Sequence, residues 1–140
     1  MCLVAWNWQP QSDTPLLLIG NRDEFYARPA QPLHWWPSGR ILAGKDLQAG
    51  GTWLGVSRSG RLAILTNFRD LNQMLINARS RGELVTRFLQ DDMGCEDFLR
   101  QLVPTVADYN HFNLLLFDGK RLYGFESRRA TPFAIAPGVG

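Results

Sequence analysis

The fold is decided by residues 16–25, LLLIGNRDEF, in which an apolar run ends in four consecutive polar residues. The run from Leu16 to Ile19 predicts a buried strand. The tetrapeptide after Gly20 places an amide, a guanidinium and two carboxylates at the end of that strand, where loops often hold functional residues. A turn with a surface ion pair is the alternative interpretation, because such pairs are common and contribute little to stability.

A second apolar run, MCLVAWNW at residues 1–8, is rich in aromatic and branched side chains and favours another strand. The connection at residues 9–15 is polar and bracketed by prolines, which is typical of a turn. Together the two runs predict an antiparallel hairpin. A symmetric hairpin sets Cys2 opposite Arg22, and a slip of one residue sets it opposite Asp23. Either register brings the cysteine to the polar tetrapeptide.

Cys2 has a special chemistry because it directly follows the initiator methionine. Removal of that methionine would leave Cys2 with a free α-amino group, whose unperturbed pKa lies near ~7.7–8.0. Such an amine can accept the thiol proton, so that one residue supplies both nucleophile and base. An incidental cysteine behind the initiator is the alternative.

Composition limits the classes of function. A chain of 140 residues with 45% hydrophobic and 20% charged residues predicts one globular domain. The formal net charge of +2 is too small to indicate nucleic-acid binding. Two cysteines give no disulfide framework, and neither a signal peptide nor a membrane-spanning run is evident, so we predict a cytoplasmic protein with reduced thiols.

The remaining segments predict an α+β fold in which strands are followed by two helices and further strands. Residues 52–57 and 61–67 form a hairpin that ends at Asn67, for which a turn-forming role is the alternative. Ser80 and Glu83 predict a capping box at a helix start. The elements expected after it are helices 81–89 and 96–102 and strands 112–117 and 120–126.

Two segments are predicted to lack regular structure. Residues 27–37 contain three prolines, which favour an extended, irregular course. Residues 70–79 read as a loop that packs apolar side chains onto the rest of the chain.

Several short stretches together resemble the NRDE family, which takes its name from the tetrapeptide at residues 21–24. The agreeing stretches are MC at 1–2, ARP at 27–29, AGKDL at 43–47, GGTWLG at 50–55, LTNFR at 65–69 and SRGEL at 80–84. The family is similar to the N-terminal-nucleophile hydrolases, notably the bile-salt and penicillin V acylases. The resemblance implies an αββα layered sandwich. Because family members are usually longer, we expect residues 1–140 to be a single NRDE-family domain truncated at its C-terminus.

The resemblance also assigns roles to particular residues. In the acylases an aspartate lies three residues after the site arginine; Phe25 holds that position here, so a neighbouring acid would have to substitute. The resemblance implies Cys2 as the nucleophile and Arg22 as the cation beside its thiolate. It implies Asp23 as the acid and Asn67 as the oxyanion donor. The expected substrate-binding residues are Glu24, Trp53 and Phe68.

The activity implied is hydrolysis of a non-peptide carbon–nitrogen amide bond in a small molecule. The alternative is a carrier, because family members are implicated in haem trafficking and lipid homeostasis, and a hydrolase-shaped pocket can bind without cleaving. We expect no cofactor and no metal, with haem only as a carried ligand, and leave a homo-oligomer open. If the 140 residues were the whole polypeptide, strand 112–117 and helix 81–89 would expose apolar surface.

Overall fold

A computed structural model describes residues 2–68 and 74–140. They form two antiparallel sheets, two α-helices and a 3₁₀ segment. The strands are β1 (Leu3–Trp8), β2 (Leu16–Asn21), β3 (Ala30–Trp35), β4 (Ile41–Asp46), β5 (Leu54–Ser57), β6 (Leu62–Asn67), β7 (Phe112–Phe117), β8 (Leu122–Glu126), β9 (Thr131–Ala134) and β10 (Gly138–Val139). The helices are α1 (Gly82–Gln90) and α2 (Cys95–Leu102), and the 3₁₀ segment (Val103–Asp108) follows α2.

The N-terminal hairpin consists of β1 and β2, which join β10 in a three-stranded sheet with the order β10-β1-β2. Within the hairpin, Leu3 pairs with Asn21. This is the symmetric register of the two that the sequence left open. Continued by one residue beyond both strands, it sets Cys2 opposite Arg22.

The larger sheet has seven strands in the order β3-β4-β5-β6-β7-β8-β9, with every neighbouring pair antiparallel. The helical segment is inserted between β6 and β7, which nevertheless pair along their whole length. Asn67 ends β6 in the interior of this sheet and pairs with Phe112. The predicted hairpin of β5 and β6 is confirmed, because these strands are antiparallel neighbours in this sheet.

The prediction of irregular structure at residues 27–37 is wrong in part, because β3 occupies most of the segment. This strand lies at the edge of the larger sheet, and its register against β4 shifts between Gln31 and His34. An edge strand tolerates Pro32, since the missing N–H faces away from the ladder. The predicted loop at 70–79 lies partly outside the described residues; residues 74–79 contain a turn and an isolated bridge of Arg79 to Tyr109.

Both helices pack on one face of the larger sheet. Their apolar stripes follow the helical period that the sequence indicates, and the stripe residues are buried against the sheet. In α1 these residues are Leu84, Val85, Phe88 and Leu89, and in α2 they include Phe98, Leu99 and Leu102. Fully burying one such side chain stabilises the fold by roughly 1.5–3 kcal/mol, so this layer is a principal source of stability.

A second core lies between the two sheets. Trp8 of the small sheet packs here with Ile64, Leu115 and Leu122 of the large one. Alternate residues of β1 and β2 point into this core, as the period of two in a strand requires. The inward residues are Val4, Trp6, Trp8, Leu16 and Leu18. The described layers are therefore helices, a seven-stranded sheet and a three-stranded sheet, which confirms the α+β class.

The outer face of the small sheet exposes apolar side chains. Leu3 is 68% exposed, Leu17 58%, Ile19 66% and Val139 83%. From the sequence we predicted that the exposed apolar surface would lie on strand 112–117 and helix 81–89, and this prediction is wrong. Strand β7 is covered on both faces, by the helices and by the small sheet, and the apolar stripe of α1 is buried.

The predicted capping box is also wrong. The residue at the N-cap of α1 is Arg81, which has helical backbone angles, and no side chain caps the helix. The Glu83 carboxylate instead accepts a hydrogen bond from the Tyr109 hydroxyl and pairs with Arg79. One contact to the segment after α2, from Tyr109, and one to Arg79 just before α1 thus replace the local cap.

Candidate active site

A cavity of about 380 Å³ opens where several strand ends meet. Cys2 precedes β1, Arg22 follows β2, Asn67 ends β6, and Trp53 precedes β5. These four side chains and Glu24 are among the residues that line the cavity. The structure therefore brings together five of the seven residues that the sequence assigned to a site.

The other two predicted residues, Asp23 and Phe68, are not among those that line this cavity. Asp23 is exposed and accepts a hydrogen bond from Asn21 Nδ2 at 3.2 Å. The Phe68 ring contacts His111 edge to face, and the Arg128 guanidinium lies 4.8 Å from its centre. Their catalytic and substrate-binding roles remain predictions.

Ion pairs organise one wall of the cavity. Arg22 Nη2 lies 3.0 Å from Glu24 Oε2, and Arg28 donates to Asp46 Oδ2 from Nε at 2.9 Å and from Nη2 at 2.7 Å. Glu24 also lies 4.0 Å from Arg28, so that its carboxylate links the two arginines. The tetrapeptide after β2 is thereby tied to the end of β4.

Asp46 also orders the loop that follows β4. Its Oδ1 accepts hydrogen bonds from the backbone N–H groups of Gln48 and Ala49. Burial alone raises the pKa of Asp46, but the hydrogen bonds from Arg28 and from the two N–H groups reverse this effect and hold the pKa below its usual value. The carboxylate is thus charged and serves as a structural anchor rather than as a proton donor.

Two glycines bring the start of α1 against the loop before β5. A Cβ atom on Gly51 would lie 2.6 Å from the backbone carbonyl carbon of Gly82, and Thr52 N–H donates to the Gly82 carbonyl at 3.4 Å. Only a residue without a side chain permits this approach. The contact sets Arg81 in the wall of the cavity.

The sequence interpretation missed Arg81. Its Nη1 donates to the His111 carbonyl at 3.0 Å. Burial lowers the pKa of Arg81 below its ordinary value, and the charge of Arg28 adds to this effect, whereas the Glu24 carboxylate opposes it. Arg81 lines the same cavity as the proposed nucleophile. The paired glycines at 50–51 and the Arg-Gly dipeptide at 81–82 were the signals that could have revealed it.

Cys2 also lines a second cavity of about 380 Å³. This cavity lies between β1 and strands β6 to β8 of the large sheet, and most of its walls are apolar. The apolar residues include Val4, Trp6, Ile64, Leu115 and Phe133, and the polar ones are Thr66, Asn113 and Glu126. Cys2 thus lines both a polar cavity and an apolar one.

The second cysteine has a different environment. Cys95 is buried at the start of α2, and its N–H donates to Asp118 Oδ2 at 3.1 Å. Burial raises the pKa of its thiol, and the neighbouring Asp118 charge adds to this effect. A thiol held in its neutral form is a poor nucleophile, so Cys95 is structural.

The part of the chain that the structure describes has no helix long and apolar enough to cross a membrane. Its His, Cys, Asp and Glu side chains do not come together in groups of three or more that could hold a metal ion.

Comparisons with known proteins identify relatives of this chain. The family described as Transport and Golgi organisation 2 matches residues 1–139. A Transport and Golgi organization protein 2 homolog of Bos taurus is 39% identical over 156 aligned positions, which cover 99% of this chain and 55% of the relative. The homolog of Homo sapiens is 40% identical and covers 84% of this chain and 45% of its own length.

An uncharacterized protein of Saccharomyces cerevisiae is 40% identical over 98 positions, or 64% of this chain. The chain spans about half the length of the mammalian relatives that it matches. The family match covers the whole of the hairpin, both sheets and both cavities described above. The chain therefore belongs to the Transport and Golgi organisation 2 family.

Proposed function

We propose that the chain has the fold of an N-terminal-nucleophile hydrolase and cleaves a non-peptide amide bond with Cys2. The observation that supports this most directly is the hairpin register, which sets Cys2 opposite Arg22 in the lining of a cavity that Asn67 also lines. The stacking of helices on one sheet and of that sheet on a second is in keeping with three layers of such a fold.

In the proposed reaction, loss of the initiator methionine leaves Cys2 as the first residue. Its α-amino group takes the thiol proton, and the thiolate attacks the carbonyl carbon of the amide. The Asn67 side-chain amide and a backbone N–H donate hydrogen bonds to the oxyanion that forms. Arg22 favours the thiolate by its positive charge.

The intermediate then collapses. The C–N bond breaks, the leaving amine takes the proton from the α-ammonium group, and a thioester to Cys2 remains. Water gives a proton to the α-amino group and attacks the thioester, releasing a carboxylic acid and restoring the thiol. Cys2 thus supplies the nucleophile for acylation, and its α-amino group carries the proton in both halves of the reaction.

The test is a screen of small acyl amides with three variants. We expect Cys2→Ala to reduce turnover to background, because the nucleophile has no substitute, and Asn67→Ala to lower the rate by about 10²–10³-fold through loss of an oxyanion donor. Gln101→Ala removes an exposed amide from α2 and serves as the control, for which we expect the wild-type rate.

Intact mass and ligand binding complete the experiment. We expect the mass of active protein to show that Met1 is absent, since the mechanism needs the free amine. A protein that cleaves no amide, yet binds haem equally well with and without the Cys2 thiol, would refute the hydrolase and favour the haem-trafficking or lipid-handling carrier.

A further inference from the structure

The polar cavity has a surplus of positive charge. Its lining includes the cations Arg22, Arg28, Lys45, Arg79 and Arg81 and the carboxylates Glu24 and Asp46. Both carboxylates are already paired with arginines of the same wall. Binding of a cationic ligand here would therefore be opposed, and binding of an anion favoured.

Among the described residues, two cations of the cavity, Arg81 and Lys45, have no carboxylate partner and can pair with a ligand. Arg79 pairs with Glu83 and Asp108. Among the described residues, by contrast, neither Arg81 nor Lys45 has a carboxylate within ion-pair distance, and Lys45 lies over the Trp36 ring at 5.0 Å. A guanidinium has five N–H donors, and Arg81 gives one nitrogen to the His111 carbonyl, so its other donors can meet a ligand.

The apolar cavity provides the complementary half of a site. It lies on the other side of Cys2, between the sheets, and side chains such as Trp6, Ile64 and Phe133 form its walls. An aliphatic chain entering it would leave water for apolar surface at each methylene. Cys2 lines both cavities, so a ligand that occupied the two together would pass the residue proposed as nucleophile.

We propose that the substrate is an N-acyl amino acid, with its acyl chain in the apolar cavity and its carboxylate bound by Arg81 and Lys45 in the polar one. This inference rests on the proposed function for the cleaved bond, but it concerns the ligand class and can be tested by binding alone. Cleavage adds water across the amide bond and gives a fatty acid and a free amino acid.

The binding experiment uses Cys2→Ala protein, which cannot turn the ligand over, and isothermal titration. We expect N-dodecanoylglycine to bind at least tenfold more tightly than the neutral N-dodecanoylglycinamide, because charge-assisted hydrogen bonds contribute about 1.5–3 kcal/mol, or roughly 10- to 150-fold. We expect each methylene added to the acyl chain to raise affinity about fourfold until the cavity is filled, at about 0.8 kcal/mol per CH₂.

Substitutions of the cations test which residues bind the carboxylate. We expect Arg81→Met, made in the same Cys2→Ala protein, to abolish the preference for the carboxylate over the neutral amide, and Arg81→Lys to restore part of it. Lys45→Met is a second, independent removal of charge should Arg81→Met fail to fold. Arg100→Met removes an exposed arginine of α2 and serves as the control, with no expected effect on affinity.

The outcomes separate the ligand class from the reaction. Binding with the charge and chain preferences, but without turnover by wild-type protein, would support the ligand class and refute the hydrolase. Turnover of short, neutral amides with no such preferences would support the hydrolase and overturn the inference. Equal affinity for the acid and its amide in the Cys2→Ala protein would by itself overturn the inference.

Discussion

Replacing Gly51 with alanine tests whether the glycine contact holds Arg81 in the cavity wall. The new Cβ would lie 2.6 Å from the carbonyl carbon of Gly82 and 2.8 Å from its oxygen. These are backbone atoms of a helix start, which cannot rotate away as a side chain can. Gly51 does not have a positive φ, so the penalty is steric and not conformational.

The expected magnitude follows from the cost of overpacking, which is about 1–3 kcal/mol. At roughly 3 °C per kcal/mol for a chain of this size, Tm is expected to fall by about 3–9 °C. Thermal and urea unfolding followed by circular dichroism measure both quantities. Because α1 must shift to make room, the affinity for an anionic ligand is expected to fall as well.

Two matched variants sharpen the comparison. A Cβ on Gly94, at the start of α2, would lie 3.7 Å from its nearest neighbour, which is ordinary contact, so Gly94→Ala is expected to stay within about 1 kcal/mol of wild type. Gly82→Ala meets the Thr52 backbone at 3.1 Å and gains helix propensity, so we expect an intermediate effect. A Gly51→Ala protein as stable as Gly94→Ala would refute the close-approach argument.

Two further predictions follow from the charged and thiol groups. Arg28→Met is expected to cost about 1–2 kcal/mol at pH 7 by removing the two hydrogen bonds that Arg28 donates to Asp46 Oδ2. Because the pKa of Asp46 is lower in the folded than in the unfolded state, this cost should shrink as pH falls below about 4. Urea unfolding that shows the same cost at pH 3 would contradict this reasoning. A thiol-reagent titration of native protein is expected to label Cys2 alone, with Cys95 reacting only after unfolding. Because the pKa of the Cys95 thiol is raised in the folded state, its contribution to stability should be lost as pH rises above about 8.5, the pKa of an unfolded thiol. Rapid labelling of Cys2→Ala protein would refute the assignment of Cys95 as structural.

The hairpin shows how much of this fold was predictable. Its register depends on local information, namely two apolar runs of similar length around a seven-residue polar connection. In such a hairpin the turn limits which residues can face each other, so Cys2 could be placed opposite either Arg22 or Asp23 without knowledge of anything distant, and the structure has the register that favours Arg22. The apolar stripes of α1 and α2 are local in the same sense, and they too were predicted.

Two predictions that were wrong, namely the capping box and the irregular course of residues 27–37, have a different physical origin. Ser80 and Glu83 satisfy the local rule for a capping box, but the Glu83 carboxylate finds stronger partners in Tyr109 and Arg79, and Tyr109 lies 26 positions away. Strand β3 forms in spite of its proline because β4 offers a neighbour and the strand can stay at the edge. In the first case a contact from a distant part of the chain overrides a local preference. In the second case pairing with the next strand, β4, does so.

Arg81, which was not predicted from the sequence, has no carboxylate within ion-pair distance among the described residues. Arg22, by contrast, lies 3.0 Å from Glu24, which offsets part of its positive charge. Arg81 is also half-buried, and Coulomb interactions strengthen as solvent is excluded. Of the two guanidiniums, Arg81 is therefore the one whose removal would most reduce the preference of the cavity for anions.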